Sequence, residues 1–201
     1  CYGVAVPVEE LPRDWGGKLQ ILFSGTLLQE AGAQFFLEAL SFMQMHHRAS
    51  LEKLFFVVTG KGPEAASFSA FSGEFPDQMF FGESLPYAEY LRLLRSSHVG
   101  LSLRLGKFEM AGTTFPSKVV EYANHGLLIV STRVGDVPAL LGDAAIYLDN
   151  ETPEALAELL AELPGRRIGL KQLAEKGRGR VVSSCSPDAV ASGLKRLFST
   201  G

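Results

Sequence analysis

Apolar residues in this chain fall into short β-rich runs that alternate with amphipathic stretches of helical spacing. The runs are 19–24 (LQILFS), 53–59 (KLFFVVT), 78–81, 99–103, 127–131 and 145–148, and the first three stop at Gly25, Gly60 and Gly82. Between them, Phe36, Ala39, Leu40 and Met43 predict a helix ending near His46 and His47. Tyr87, Tyr90, Leu91 and Leu94 predict a second helix, opened by Pro86. Residues 116–125 predict a third, with Pro116 in its first turn and Gly126 past its end. Leu156, Leu159, Leu160 and Leu163 predict a fourth over 153–163. Weaker patterning beyond Arg166 predicts helices at 168–180 and 188–198, the last opened by Ser186 and Pro187.

Strand–helix alternation of this kind predicts an α/β, Rossmann-like fold: a parallel sheet of about six strands with helices on both faces. Strands buried on both sides read as continuous apolar runs, because neither face meets water. The division expected is a connecting segment at 1–18, the domain at 19–165, and C-terminal helices packing on it at 166–201. Trp15 falls in the connecting segment, which is expected to lie on the surface.

Composition narrows the function classes. With 201 residues the chain suffices for one well-packed domain, and a net charge of −3 gives no general attraction to nucleic acid or an anionic membrane. The run 54–58 (LFFVV) is strand-sized, far below the roughly 20 apolar residues of a membrane span. The chain opens at Cys1 without methionine or a charged-then-apolar leader, so it reads as an unexported piece of something longer. Cys1 and Cys185 make neither a zinc spacing nor a disulfide framework, and the reducing cytoplasm is the expected home.

Ligands of such sheets bind beyond the carboxyl ends of the strands, so candidate chemistry is sought there. Glycines sit in loops at Gly25, at Gly60 and Gly62, and at Gly82, where backbone N–H groups can approach a phosphate or a base. The plain alternative is that these glycines only punctuate strand ends. None forms a G-x-G-x-x-G or a Walker loop, which counts against a dinucleotide-dependent dehydrogenase or an NTPase.

The segment 111–122 (AGTTFPSKVVEY) is richer, since it follows a strand and opens a helix whose N-terminus suits an anion. Thr113, Thr114 and Ser117 bring hydroxyls, and Lys118 brings a cation for a diphosphate. Glu121 lies one turn on, where a carboxylate can accept both hydroxyls of a ribose. A capped surface helix with a Lys–Glu pair is the plain structural alternative. His98 and His125 read as structural, His46 and His47 as an exposed helix end, and Lys107 and Glu109 as solvated loop residues.

Taken in order, these segments resemble the C-terminal, donor-binding domain of group 1 glycosyltransferases of the GT-B fold. FSGTLLQEAGAQFFLEAL resembles the family's first strand, phosphate loop and helix, and VVTGKGPE its G-x-G-P-E turn. FFGESLPYAEYLRLLRSSHVGLSL resembles the base-binding loop with the helix and strand after it, and FPSKVVEYANHGLLIVSTRVGDVPALLGDAAIYL the donor helix onward. The resemblance implies binding of a nucleoside-diphosphate sugar, UDP-linked, for retaining transfer of a hexose without an essential metal or other cofactor. By position it implies Glu121 on the ribose, and Gly25, Thr26, Thr114, Ser117 and Lys118 on the diphosphate. It also implies Gly82, Glu83, Ser84 and Leu85 on the base, with Thr113, Phe115 and Pro116 on the sugar.

The acceptor, on this resemblance, sits on a missing N-terminal domain, which leaves the present half inactive alone. Any membrane contact, peripheral at the inner face, is then made through that other half. Thr113 stands where the family has its first glutamate, and Thr26 and Ala31 where it often has Arg and Lys. Two other readings stay open: a UDP-sugar 2-epimerase, which lacks its acid–base carboxylates and histidines here, and a degenerate scaffold, favoured by those three departures.

Overall fold

The computed structural model describes residues 5–6, 13–108 and 117–199. Its strands are β1 (Leu19–Ser24), β2 (Leu54–Thr59), β3 (Met79–Gly82), β4 (Val99–Ser102), β5 (Leu128–Thr132) and β6 (Ile146–Leu148). All neighbours pair in parallel, and the order across the sheet is β3-β2-β1-β4-β5-β6. The expected α/β Rossmann-like architecture is therefore observed, with strand bounds within one residue or so of the sequence reading. The order reverses beside β1, where β2 lies on one side and β4 on the other, so the crevice of the fold opens at the carboxyl end of β1.

Alternate residues of β1 feed separate cores. Leu19, Ile21 and Phe23 face a cluster with α1 (Ala33–His46), α3 (Ala65–Glu74) and α7 (Pro153–Glu162). Leu22 faces the opposite cluster, with α4 (Tyr87–Ser96), α5 (Ser117–Asn124) and α6 (Val137–Leu141). Phe36, Ala39, Leu40 and Met43 of α1 are all fully buried, as their spacing predicts. In α7, Leu156 and Leu160 are buried while Leu159 only borders the core.

Three helices were not evident in the sequence: α2 (Arg48–Leu51), α3 and α6. The sequence of α3, AASFSAFSGE, buries only Phe68 fully, so its apolar face is too narrow to announce itself. Tyr87, predicted on the core face of α4, is instead 71% exposed, because it opens the helix at the rim of the sheet, beyond the core. The helix expected at 168–180 runs longer, as α8 (Arg167–Cys185), followed by α9 (Pro187–Ser199). Leu170 and Ala174 join the first core and Val181 and Cys185 the second, so α8 spans both faces and burial of its last turns carries it past 180.

Residues 13–18, within the segment expected as an interdomain linker packed on the surface, lie against the domain. Trp15 borders the first core and meets His98 edge-on at 4.9 Å between ring centroids. His98 accepts the Gln20 N–H at Nδ1 (2.9 Å) and donates from Nε2 to the Asp14 carbonyl (2.7 Å). Burial lowers its pKa and keeps the ring neutral, which those two roles require. His98 is thus a structural histidine.

Arg13 reaches further. Its guanidinium donates to the carbonyls of Gly126 (2.7 Å) and His125 (2.8 Å) beyond α5 and of Arg95 (3.1 Å) at the end of α4. It therefore places a cation at two helix C-termini at once, where the partial charge is negative. Arg13→Ala is expected to cost about 2 kcal/mol, because partly buried carbonyls lose charged donors. At roughly 2–4 °C per kcal/mol for a domain of this size, melting should fall by about 4–8 °C. An unchanged melting temperature would mean that water replaces the guanidinium.

Candidate functional site

The carboxyl end of β1 is where side chains from three elements meet. Ser24, the last residue of β1, is hydrogen-bonded through its Oγ to the Tyr122 hydroxyl of α5 at 2.7 Å. The same Oγ lies 3.2 Å from the Tyr90 hydroxyl of α4. Tyr90 donates to Glu121 Oε2 at 2.9 Å. Lys118 Nζ donates to Glu121 Oε2 at 2.7 Å and to the Tyr90 oxygen at 3.0 Å, and also lies over the Tyr90 ring at 4.7 Å. Burial pushes both phenols well above the ordinary tyrosine range, so both are protonated at neutral pH and available as donors.

Local sequence explains how α5 delivers these groups. Val119, Val120, Tyr122 and Ala123 are buried, which turns Lys118 and Glu121 toward the half-exposed rim. The two charged side chains stand at i and i+3, with 37% and 29% of their surface exposed. Tyr122 is fully buried, and it reaches Ser24 across β4 because position 100 is glycine: a β-carbon there would overlap the Tyr122 ring. An ammonium has three N–H groups, and two of those on Lys118 are committed within the cluster. Among the described residues the third has no hydrogen-bond partner and can meet a ligand oxygen.

Of the residues expected from sequence, Glu121 and Lys118 are brought into direct contact at this strand end. Ser117 is exposed on the first turn of α5. Gly25 and Thr26 follow directly on Ser24, but the Gly25 N–H already donates to the Thr59 carbonyl at 3.0 Å. Gly82 is buried, with Glu83 and Ser84 exposed and Leu85 half-buried. Leu85 also joins Phe80, Glu89, Arg92 and Leu93 around an open pocket of about 250 Å3 between β3 and α4. Thr113, Thr114, Phe115 and Pro116, with Glu109, lie outside the described residues.

Gly60 and Gly62 have a packing role. A β-carbon on Gly60 would overlap the Gly25 carbonyl, and one on Gly62 the Leu27 backbone, so this loop nests against the loop after β1. His125 directs Nδ1 to the Glu121 carbonyl at 2.9 Å, in keeping with a helix-end role.

Tyr90, Tyr122 and Ser24 were missed as functional candidates. Tyr90 reads as an apolar-face residue at helical spacing and Tyr122 only as the end of the segment 111–122, and their polar tips alone hint that one end needs a partner. No group of three or more His, Cys, Asp or Glu side chains able to hold a metal occurs among the described residues. Among the same residues, no helix is long and apolar enough to cross a membrane.

Comparison with known proteins identifies the family and the fold. The family model described as "Glycosyl transferases group 1" matches residues 18–164. Among solved structures, HepE from Anabaena in complex with UDP superposes with a TM-score of 0.71 at 12% identity, covering 93% of this chain and 50% of that one. The C-terminal domain of the group 1 glycosyl transferase LpcC from Francisella tularensis gives a TM-score of 0.66 at 17% identity, covering 85% and 88%. The catalytic domain of cholesterol-alpha-glucosyltransferase from Helicobacter pylori gives 0.63 at 11% identity, covering 82% and 98%. This chain thus spans half the length of the HepE structure and most of the length of the two isolated domains. No curated protein matches the sequence.

Proposed function

The chain belongs to the group 1 glycosyltransferases, and from that premise we propose that it binds a nucleoside-diphosphate sugar, UDP-linked, as the donor half of a GT-B enzyme. The observation that carries this reading is the Lys118–Glu121 pair on α5, tied to α4 and β1 at the switch point of the sheet. The solved complexes of HepE with UDP and with UDP-glucose support the choice of base.

In this reading Glu121 accepts the ribose hydroxyls, and the free N–H of Lys118 serves the diphosphate together with Ser117, Thr114 and the Gly25–Thr26 turn. Gly82, Glu83, Ser84 and Leu85 meet the base, and Thr113, Phe115 and Pro116 the sugar. The acceptor is held by an N-terminal domain that this chain does not include. Transfer breaks the bond from the anomeric carbon to the diphosphate, forms one to an acceptor oxygen with retention of configuration, and releases the acceptor's proton. Charge then grows on the departing diphosphate, where preorganised donors such as Lys118 lower the barrier. Without the acceptor half, positioning is lost and only slow hydrolysis is expected. We place the reaction in the cytoplasm, with any membrane contact made by the other half.

A second reading, a non-catalytic scaffold, is favoured by one observation. Lys118 is neutralised by Glu121, and Thr26 and Ala31 bring no cation to replace it.

A thermal-shift screen over UDP, GDP, ADP and their common sugars separates the two, because stabilisation grows with the logarithm of ligand concentration over Kd. Glu121→Ala is expected to weaken UDP binding by about 1.5–3 kcal/mol, the range for hydrogen bonds to a charged group. The fold should persist, since the carboxylate lies outside both cores. Absence of any shift with every nucleotide favours the scaffold.

A further inference from the structure

Tyr90 has one hydroxyl proton, and it is donated to Glu121 Oε2 at 2.9 Å. Every other partner of the phenol oxygen must then donate to it. Lys118 Nζ does so at 3.0 Å, and Ser24 Oγ, at 3.2 Å, must also do so. With its proton directed at Tyr90, Ser24 Oγ can only accept from the Tyr122 hydroxyl at 2.7 Å. The Ser24 carbonyl, at 3.4 Å, is a longer alternative acceptor for that same proton. The Tyr122 oxygen accepts the Ser24 backbone N–H at 3.0 Å.

Counting donors therefore orders the contacts in one direction. The order runs from the Ser24 amide through Tyr122, Ser24 Oγ and Tyr90 to the Glu121 carboxylate. Hydrogen bonds aligned head to tail polarise one another, and this chain ends on an anion. Among the described residues, both side-chain hydrogen bonds to Glu121 end on Oε2, which leaves Oε1 for a ligand.

We propose that Tyr90 is a positioning residue for the donor ribose, holding Glu121 Oε2 so that Oε1 meets the ribose hydroxyls, and that Tyr122 holds Tyr90 through Ser24. The proposal rests on the reading of Glu121 as the ribose ligand. Lys118 stands on the same helix as Glu121 and moves with it; Tyr90 and Ser24 fix the carboxylate from α4 and from the end of β1. A carboxylate held in its bound position before the ligand arrives loses less freedom on binding, and discriminates more sharply for it.

The test titrates UDP and 2′-deoxy-UDP against the wild-type chain and its Glu121→Ala, Tyr90→Phe and Ser24→Ala variants. The readout is the ratio of the two affinities, which a general structural defect leaves unchanged because it weakens both ligands alike. Wild type should prefer UDP and Glu121→Ala should not. Tyr90→Phe should reduce the preference by roughly tenfold, as for one lost hydrogen bond to a charged group. Ser24→Ala should reduce it less, in the same direction, and it decides the matter if Tyr90→Phe fails to fold. If Glu121→Ala abolishes the preference while Tyr90→Phe and Ser24→Ala keep it in full, the positioning role is overturned and the ribose reading stands. If wild type shows no preference, the ribose reading fails and the proposal falls with it.

Discussion

Replacing Gly60 by alanine is expected to destabilise the domain by about 4 kcal/mol or more, near the upper end for a single substitution. Two causes act together. Gly60 has a φ of 146°, a region that costs an L-residue of order 1–3 kcal/mol. Its β-carbon would also overlap the carbonyl of Gly25, and neither backbone can retreat easily. The Gly60 N–H is held by the Gly82 carbonyl at 3.2 Å, and the Gly25 N–H by Thr59 at 3.0 Å. The displaced loop is the one that follows Ser24, so nucleotide affinity should fall along with stability. Urea denaturation gives the first quantity and UDP titration in the folded fraction the second. A variant that melts within a degree or so of wild type would show that the loops yield cheaply.

The second large effect is expected at Gly100, in the middle of β4. Gly100→Ala should cost about 3 kcal/mol, the upper part of the range for overpacking a filled core. The clash is with the ring of Tyr122, which is fully buried and tied by its hydroxyl to Ser24, so it has no alternative rotamer that keeps that bond. The two positions should therefore be coupled. Tyr122→Leu alone loses aromatic packing and the Ser24 contact, but on that background Gly100→Ala has room. A double-mutant cycle should give a coupling of at least about 1 kcal/mol, the size found for residues in direct contact. Additive costs would mean that the ring does not occupy the space beside Gly100. The cycle also tests the chain from Tyr122 to Glu121, because Gly100→Ala should weaken ribose discrimination although it touches no ligand-facing atom.

The elements of this protein were legible wherever a single period dominated. The runs 19–24 and 99–103 are mostly apolar, without strict alternation, because both faces of β1 and β4 are covered, and α1 announced itself through four residues that all prove fully buried. Pattern alone therefore determined the α/β class and the place where chemistry should be sought. Glu121 and Lys118 were also legible, since i and i+3 on any helix share a face. What pattern could not supply was everything that depends on which strand lies beside which. The order β3-β2-β1-β4-β5-β6 puts Ser24, Tyr90 and Tyr122 at one point, although Tyr122 stands 98 positions from Ser24 in the chain. In one dimension a tyrosine at core spacing is simply apolar. Only tertiary packing shows that its hydroxyl meets a serine, and that Gly100 is small because a ring from α5 fills its place. Gly60 and Gly62 make the same point from the other side: a glycine-rich loop at a strand end suits a phosphate or a neighbouring backbone equally, and contact with Gly25 and Leu27 decides for the backbone. Short-range periodicity records what each segment buries; the partner it meets is decided by the closed sheet, where the energy of a contact depends on atoms far apart in sequence.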